Sequence, residues 1–252
     1  MLLASDFDGT IYVNHQMPAK NLEFIKKFKE NSQNKFVLVT GRDLYMTKLV
    51  IEEYKIPFDY LICNNGTVIY DGNYQAIFKS SLDKEIYQQI LMDNILAESY
   101  YLTISHPDGR YIIDDYQDVK NQWYTDEIDF LTALNLDGVY QVDTKYKSYE
   151  RMETVFNKLF EKYNGFLTLH PNVDTIDFSP LNTNKAIALK YLVTLLKVND
   201  VEVIGDGLND YLMIKEFKGY TLSHGVDRVK EVCKKVIDNF YDLEKEIFNE
   251  KL

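Results

Sequence analysis

Acidic residues with reactive spacing stand at both ends of the chain. Near its start, Asp6 and Asp8 lie two apart in DFDGT, and near its end GDGLND carries Asp206 and Asp210. Where an extended segment begins to turn, carboxylates at i and i+2 point to one side. Gly9 permits a tight turn with its amide expected free, and Thr10 is placed to cap the next turn. Four such acids in one crevice would repel unless a cation sat among them, and a few hard oxygen ligands beside waters and a phosphate oxygen describe magnesium. The cation would also offset the repulsion of a carboxylate attacking a phosphate dianion. An aspartate is ionised at neutral pH and needs no base to activate it. Like-charge crowding should raise the proton affinity of one member, and Asp8 is the expected acid for a leaving group. Thr40-Gly41-Arg42 offers a hydroxyl and backbone amides to phosphate oxygens, and Lys185 a point positive charge. Arg42 is expected to pair with neighbouring acids and stands outside the catalytic set.

These residues need rigid elements to bring them together. Leu2–Ser5 reads as a short buried strand running into DFDGT, and an amphipathic helix through Leu22, Phe24, Ile25 and Phe28 follows Pro18. Phe36–Val39 is the apolar run of a fully buried parallel strand and ends at Thr40. A helix over Leu44–Tyr54 and a strand over Tyr60–Cys63, stopping at Asn64-Asn65-Gly66, complete three strands in succession with helices between them. That succession predicts a doubly wound parallel sheet of Rossmann-like type. Thr67–Tyr70 and Gln75–Phe78 flank a hairpin signal.

Over residues 81–180 the rhythm becomes α+β: a helix, a strand pair about Pro107-Asp108-Gly109, an aromatic-rich stretch near Trp123, a helix over Tyr149–Tyr163, and strands near Phe166–Leu169 and Thr175–Phe178. After Pro180 come a helix from about Asn184 to Leu196, the strand Val201–Ile204 leading to GDGLND, a last strand near Gly219–Leu222, and two short helices. The expected layout is therefore a core from 1–80 and 181–252 with an α+β cap inserted at 81–180. Ligands of open α/β sheets bind at the carboxyl ends of strands, where DFDGT, TGR and GDGLND fall.

The assembled motifs resemble the haloacid dehalogenase (HAD) superfamily, in the Cof-type branch of phosphatases with a large cap between the second and third motifs (subfamily IIB). DFDGT is similar to the first motif, which implies Asp6 as nucleophile and Asp8 as general acid/base. Thr40 falls at the second motif, Lys185 in NTNKAIAL at the third, and GDGLND at the fourth. The resemblance implies Asp206 as a metal ligand, with Asn209 and Asp210 supporting metal and phosphate, and the Asp8 backbone carbonyl as a further ligand. The implied metal set is thus Asp6, Asp8, Asp206 and Asp210; Gly9, Thr40, Gly41, Lys185 and Asn209 would hold the substrate phosphate. Asn64–Gly66 fits the branch as well. Ser223-His224-Gly225 departs from it, since relatives carry a small Asn-Ala element there.

Other readings are weaker. Twelve-residue calcium loops from Asp6 and Asp206 would end at Met17 and Phe217 in place of glutamate. GDGLND has Asp210 where a dinucleotide loop needs its third glycine, and no P-loop pattern occurs. Alternatives on the same residues are a sugar phosphomutase, returning the phosphoryl group to substrate, and a catalytically silent phospholigand-binding regulator. The four histidines (His15, His106, His170, His224) are expected to be structural or surface residues, and Cys63 and Cys233 small buried hydrophobes.

A net charge of −11 argues against nucleic acid as a partner. Residues 81–180 hold 18 Asp and Glu against 8 Lys and Arg, so nearly all the excess lies there. It reads first as a solvated surface, and second as a screen against polyanionic substrates, favouring small monophosphates. With 46 % hydrophobic residues, two cysteines and no apolar run of membrane-spanning length, the expectation is a cytoplasmic globular enzyme, monomer or weak homodimer. DFDGT so near residue 1 leaves no expected room for a signal peptide.

Overall fold

The fold comes from a computed structural model that describes residues 1–113 and 124–249. The aromatic stretch near Trp123 falls at the edge of the gap, with Trp123 itself outside the described residues.

Eight strands form the first sheet: β1 (Leu2–Asp6), β2 (Lys35–Val39), β3 (Tyr60–Cys63), β4 (Val68–Asp71), β5 (Ala76–Lys79), β12 (Val201–Ile204), β13 (Tyr220–Leu222) and β14 (Lys235–Ile237). Their order is β14-β13-β12-β1-β2-β3-β4-β5. The six strands from β14 to β3 run parallel, while β3, β4 and β5 pair antiparallel. The expected hairpin therefore extends this sheet at its edge.

Side chains of the buried strands alternate between two apolar layers, as strand geometry requires. Leu3, Phe36 and Leu38 face a layer with α1 (Ala19–Glu30), α2 (Leu44–Tyr54) and α9 (Leu243–Asn249). Leu2, Ala4, Val37 and Val39 face the opposite layer with α6 (Lys185–Leu196), α7 (Tyr211–Phe217) and α8 (Asp227–Lys230). Helices on both faces make the sheet doubly wound, as its apolar runs predict. One expectation is corrected at the end of the chain. Beyond β13 a further strand, β14, precedes α9; only Ile237 of its three residues is buried, so it carries no periodic signal.

Residues 101–180 contribute a second sheet of order β10-β11-β9-β6-β7-β8. Its strands are β6 (Tyr101–His106), β7 (Gly109–Ile113), β8 (Asp126–Ile128), β9 (Gln141–Lys145), β10 (Leu167–Asn172) and β11 (Thr175–Pro180). One face packs Ile104, Val142, Ile176 and Phe178 with Tyr87 and Ile90 of α3 (Lys84–Leu91), Ala133 of α4 (Phe130–Asn135), and Met152, Val155 and Leu159 of α5 (Tyr149–Tyr163). The other face is polar and closes over the carboxyl end of β1. No helix among the described residues is long and apolar enough to cross a membrane.

Candidate active site

The order of the first sheet places β12 and β2 on either side of β1, so the chain leaves the neighbouring strands β1 and β12 in opposite directions and opens a crevice at their carboxyl ends. Asp6 is the last residue of β1. Asp206 follows β12, Thr40 follows β2, and Lys185 is the first residue of α6. Four segments far apart in sequence thus converge.

Lys185 Nζ donates to Asp6 Oδ1 at 2.6 Å and to Asp210 Oδ1 at 2.7 Å, with only 1 % of the lysine exposed. Burial opposes its charge, but Asp210 and Asp6 more than offset that and push its pKa up, so it stays an ammonium. Asp210 Oδ2 accepts from the amides of Gly207 (2.9 Å) and Asp206 (3.2 Å), which fixes the loop around it. One carboxylate oxygen from each of Asp6, Asp206 and Asp210 lies within 4.8 Å of the others. Burial raises the pKa of Asp6 well above the ordinary range, with Asp210 adding to it, and burial likewise raises Asp206. Three crowded, desolvated carboxylates beside one ammonium leave an excess of negative charge. A hard divalent cation fits that oxygen-only donor set.

Thr10 Oγ1 donates to Asp206 Oδ1 at 2.6 Å, so its hydroxyl orients a carboxylate instead of capping a turn. The Gly9 amide, expected free, donates to the Tyr12 carbonyl at 2.9 Å because the segment closes into a turn. The glycine is needed for another reason. Its φ is +82°, and a Cβ there would collide with the Asp206 carboxylate. His224, at the departing Ser-His-Gly element, brings Nε2 to 2.9 Å from the Gly9 carbonyl; since a carbonyl only accepts, that nitrogen donates.

Asp8 stands outside this trio. Arg42 grips both its oxygens, Nε to Oδ2 at 2.7 Å and Nη2 to Oδ1 at 2.5 Å, while its guanidinium stacks over Phe7 and Tyr12. Desolvation is the first cause of the raised proton affinity of Asp6 and Asp206. Thr40 Oγ1 accepts from the Arg42 amide at 3.1 Å, leaving its own proton to donate toward the cavity it lines.

Asn65 is a junction that sequence reading left without a role of its own. Asn64 and Asn65 both adopt left-handed backbone, with φ of 52° and 53°, a region asparagine tolerates well. That turn aims Asn65 Nδ2 at Asp177 Oδ2 (2.8 Å) and Gln141 Oε1 (3.2 Å), while its Oδ1 accepts from Asn209 Nδ2 at 3.0 Å. It ties GDGLND to the polar face of the second sheet. Between them lies a cavity of about 420 Å³. Asp6, Asp8, Gly9, Asp206, Asn209 and Asp210 line its floor, and Thr40, Gly41 and Arg42 one wall. Lys185 sits beneath, reaching it through Asp6.

On the roof, Asp177 is pushed up to about 8, first by burial and then by Asp143 opposite. A carboxyl raised in the folded state holds its proton there while the unfolded chain has already released it. Its contribution to stability is present below about pH 4 and is lost as pH rises through about 8. Asp177→Asn, which keeps an oxygen to accept from Asn65, should therefore gain melting temperature relative to the parent as pH rises from 5 to 8. A constant difference across that window in thermal melts would contradict the assignment.

A family model described as haloacid dehalogenase-like hydrolase matches residues 3–242. An uncharacterized protein of Mycoplasma capricolum is 25 % identical over 96 % of this chain and 98 % of its own. A Bacillus subtilis protein named 5-amino-6-(5-phospho-D-ribitylamino)uracil phosphatase is 25 % identical, covering 94 % of this chain and 89 % of its own. Among solved structures, a haloacid dehalogenase-like hydrolase of B. subtilis superposes with a TM-score of 0.81 at 20 % identity, over 96 % of this chain and 95 % of that one.

Proposed function

Because the chain belongs to the haloacid dehalogenase-like hydrolase family, we propose that it is a magnesium-dependent phosphatase of small phosphorylated metabolites, with Asp6 as nucleophile. The observation that carries this reading is the buried Lys185 ammonium held between Asp6 and Asp210 under a cavity wide enough for a small ester. Lys185 holds Asp6 Oδ1 and leaves the second oxygen to attack phosphorus. The ester oxygen departs as the aspartyl-phosphate forms on Asp6. Asp8 supplies its proton, then takes one from the water that releases phosphate. Both Asp8 oxygens are gripped by Arg42, so this transfer requires Asp8 to surrender at least one of those bonds when substrate enters. The Thr40 hydroxyl, Gly41 and Asn209 hold the phosphoryl oxygens, and Lys185 offsets their charge. Asp6, Asp206 and Asp210, with the Asp8 carbonyl, are the groups to hold magnesium, whose chemistry when bound is to neutralise the charge between carboxylate and phosphate. Residues 1–80 and 181–252 act as the core and 81–180 as the cap that encloses the leaving group.

Removal of the metal tests the reading. Stripping the protein with a chelator should lower phosphate release from p-nitrophenyl phosphate by roughly a hundredfold or more, and added magnesium should restore it. Full turnover after chelation would overturn the metal dependence.

A further inference from the structure

The roof of the cavity has a chemistry that phosphate transfer does not use. In the register of the second sheet, Asp177 on β11 lies directly opposite Asp143 on β9, and Asp143 opposite Thr103 on β6. Their neighbours Ile176, Val142 and Ile104 point into the apolar layer, so the polar side chains are committed to the other face. Asp143 is 8 % exposed and Arg110 7 %. Arg110 Nη1 donates to Asp143 Oδ2 at 2.7 Å and to Asp43 Oδ2 at 2.8 Å, and Nη2 to Thr103 Oγ1 at 2.6 Å. Gln141 Nε2 donates to the other oxygen of Asp143. One guanidinium thus pairs with two carboxylates, those of Asp43 and Asp143, and the Asp177 carboxyl opposite Asp143 lies outside its hydrogen bonds.

Two hydrogen-bonding positions remain open. Asp177 accepts from Asn65 through Oδ2, and no donor among the described residues reaches its Oδ1. Arg110 Nε is buried with no acceptor among the described residues. Both residues line the cavity that holds Asp6 at its other end. A buried donor without a partner is costly, and the proton that burial and Asp143 hold on Asp177 can be displaced by a cation seated against its carboxyl. Together they describe the complement of a ligand that carries positive charge beside an oxygen acceptor. A second phosphate or a carboxylate would meet Asp177 and Asp143 with like charge, and a neutral polyol would leave the excess charge standing.

We infer that the roof formed by Asp177, Asp143 and Arg110 is a leaving-group site for monophosphate esters bearing a primary ammonium next to a hydroxyl or carbonyl oxygen, as in an amino-sugar phosphate. The ammonium donates to Asp177 and Asp143, and the neighbouring oxygen accepts from Arg110 Nε. This rests on the phosphatase reading for its reaction, while the binding preference stands on the roof alone. The substrate is then a dipole matched to the cavity, its phosphate on the cation-bearing floor and its ammonium on the acidic roof.

The test compares D-glucosamine 6-phosphate, D-glucose 6-phosphate and N-acetyl-D-glucosamine 6-phosphate at pH 7 with magnesium. Phosphate release is followed with the parent protein and binding by calorimetry with Asp6→Asn. The ester bearing the ammonium should exceed both analogues that lack it by about tenfold or more in kcat/KM and in affinity, the effect of one desolvated charge-assisted contact. The preference should collapse in Asp177→Asn. A ratio at or below one in the parent protein overturns the inference, as does a preference that survives in a folded Asp177→Asn. If p-nitrophenyl phosphate is not hydrolysed either, the phosphatase reading fails, and the calorimetric ratio still decides what the roof recognises.

Discussion

Asp6→Asn should abolish turnover, with kcat/KM for p-nitrophenyl phosphate falling by at least about a thousandfold, the scale on which loss of a nucleophile is felt. The substitution is nearly isosteric, and its carbonyl oxygen can still accept from Lys185 Nζ, now 2.6 Å from Asp6 Oδ1. Asp210 continues to neutralise the ammonium. The variant should therefore fold, and its circular dichroism should match that of the parent. Loss of turnover with intact structure separates a chemical role from a structural one. Undiminished phosphate release would remove Asp6 from the mechanism, whatever its place at the end of β1.

Lys185→Ala should act on stability as well as on rate. The lysine is almost wholly buried and is the cation that both Asp6 and Asp210 contact. Breaking a buried ion pair by removing one partner costs about 3–5 kcal/mol, because the remaining charge stays buried without compensation. For a chain of this size each kcal/mol moves the melting temperature by about 2–4 °C, so a fall on the order of 10 °C is expected. Two carboxylates without their ammonium also form a stronger cation site. Magnesium should raise the melting temperature of the variant by more than it raises that of the parent. Turnover should fall steeply too, since Lys185 positions the nucleophile and offsets phosphoryl charge. A variant that melts with the parent would show that Asp6 and Asp210 take up protons in its place.

The doubly wound sheet was legible because its strands are buried on both faces. Runs such as Phe36–Val39 and Tyr60–Cys63 have no polar face to confuse the reading, and the observed bounds of α2, β3, α5 and β12 coincide with it. Asp6, Thr40, Lys185 and Asp206 were legible as a set because each abuts a core strand or opens a core helix, and parallel topology sends those ends to one edge. β14 was not legible, since three residues with two exposed carry no periodicity.

The roof failed to show for a different reason. Asp177 stands between Ile176 and Phe178, and Asp143 between Val142 and Thr144, the pattern of a half-solvated sheet, and both belong to the acidic excess that reads as solvated surface. Polar alternation says that a face is not core, and it cannot say whether water or a cavity lies beyond it. That depended on β11 pairing antiparallel with β9, so that carboxylates 34 residues apart stand side by side, and on the Asn65 turn that ties them to Asn209.

By itself, then, the sequence determined the buried parallel strands, their winding and the acids at strand carboxyl ends, because buried periodicity and strand-end position are local properties. Tertiary structure alone decided that Arg42 grips Asp8, that the Gly9 amide is bonded while its missing Cβ makes room for Asp206, and that an acidic roof faces the floor. Those are contacts between side chains distant along the chain, set by register and turn geometry that no local pattern encodes.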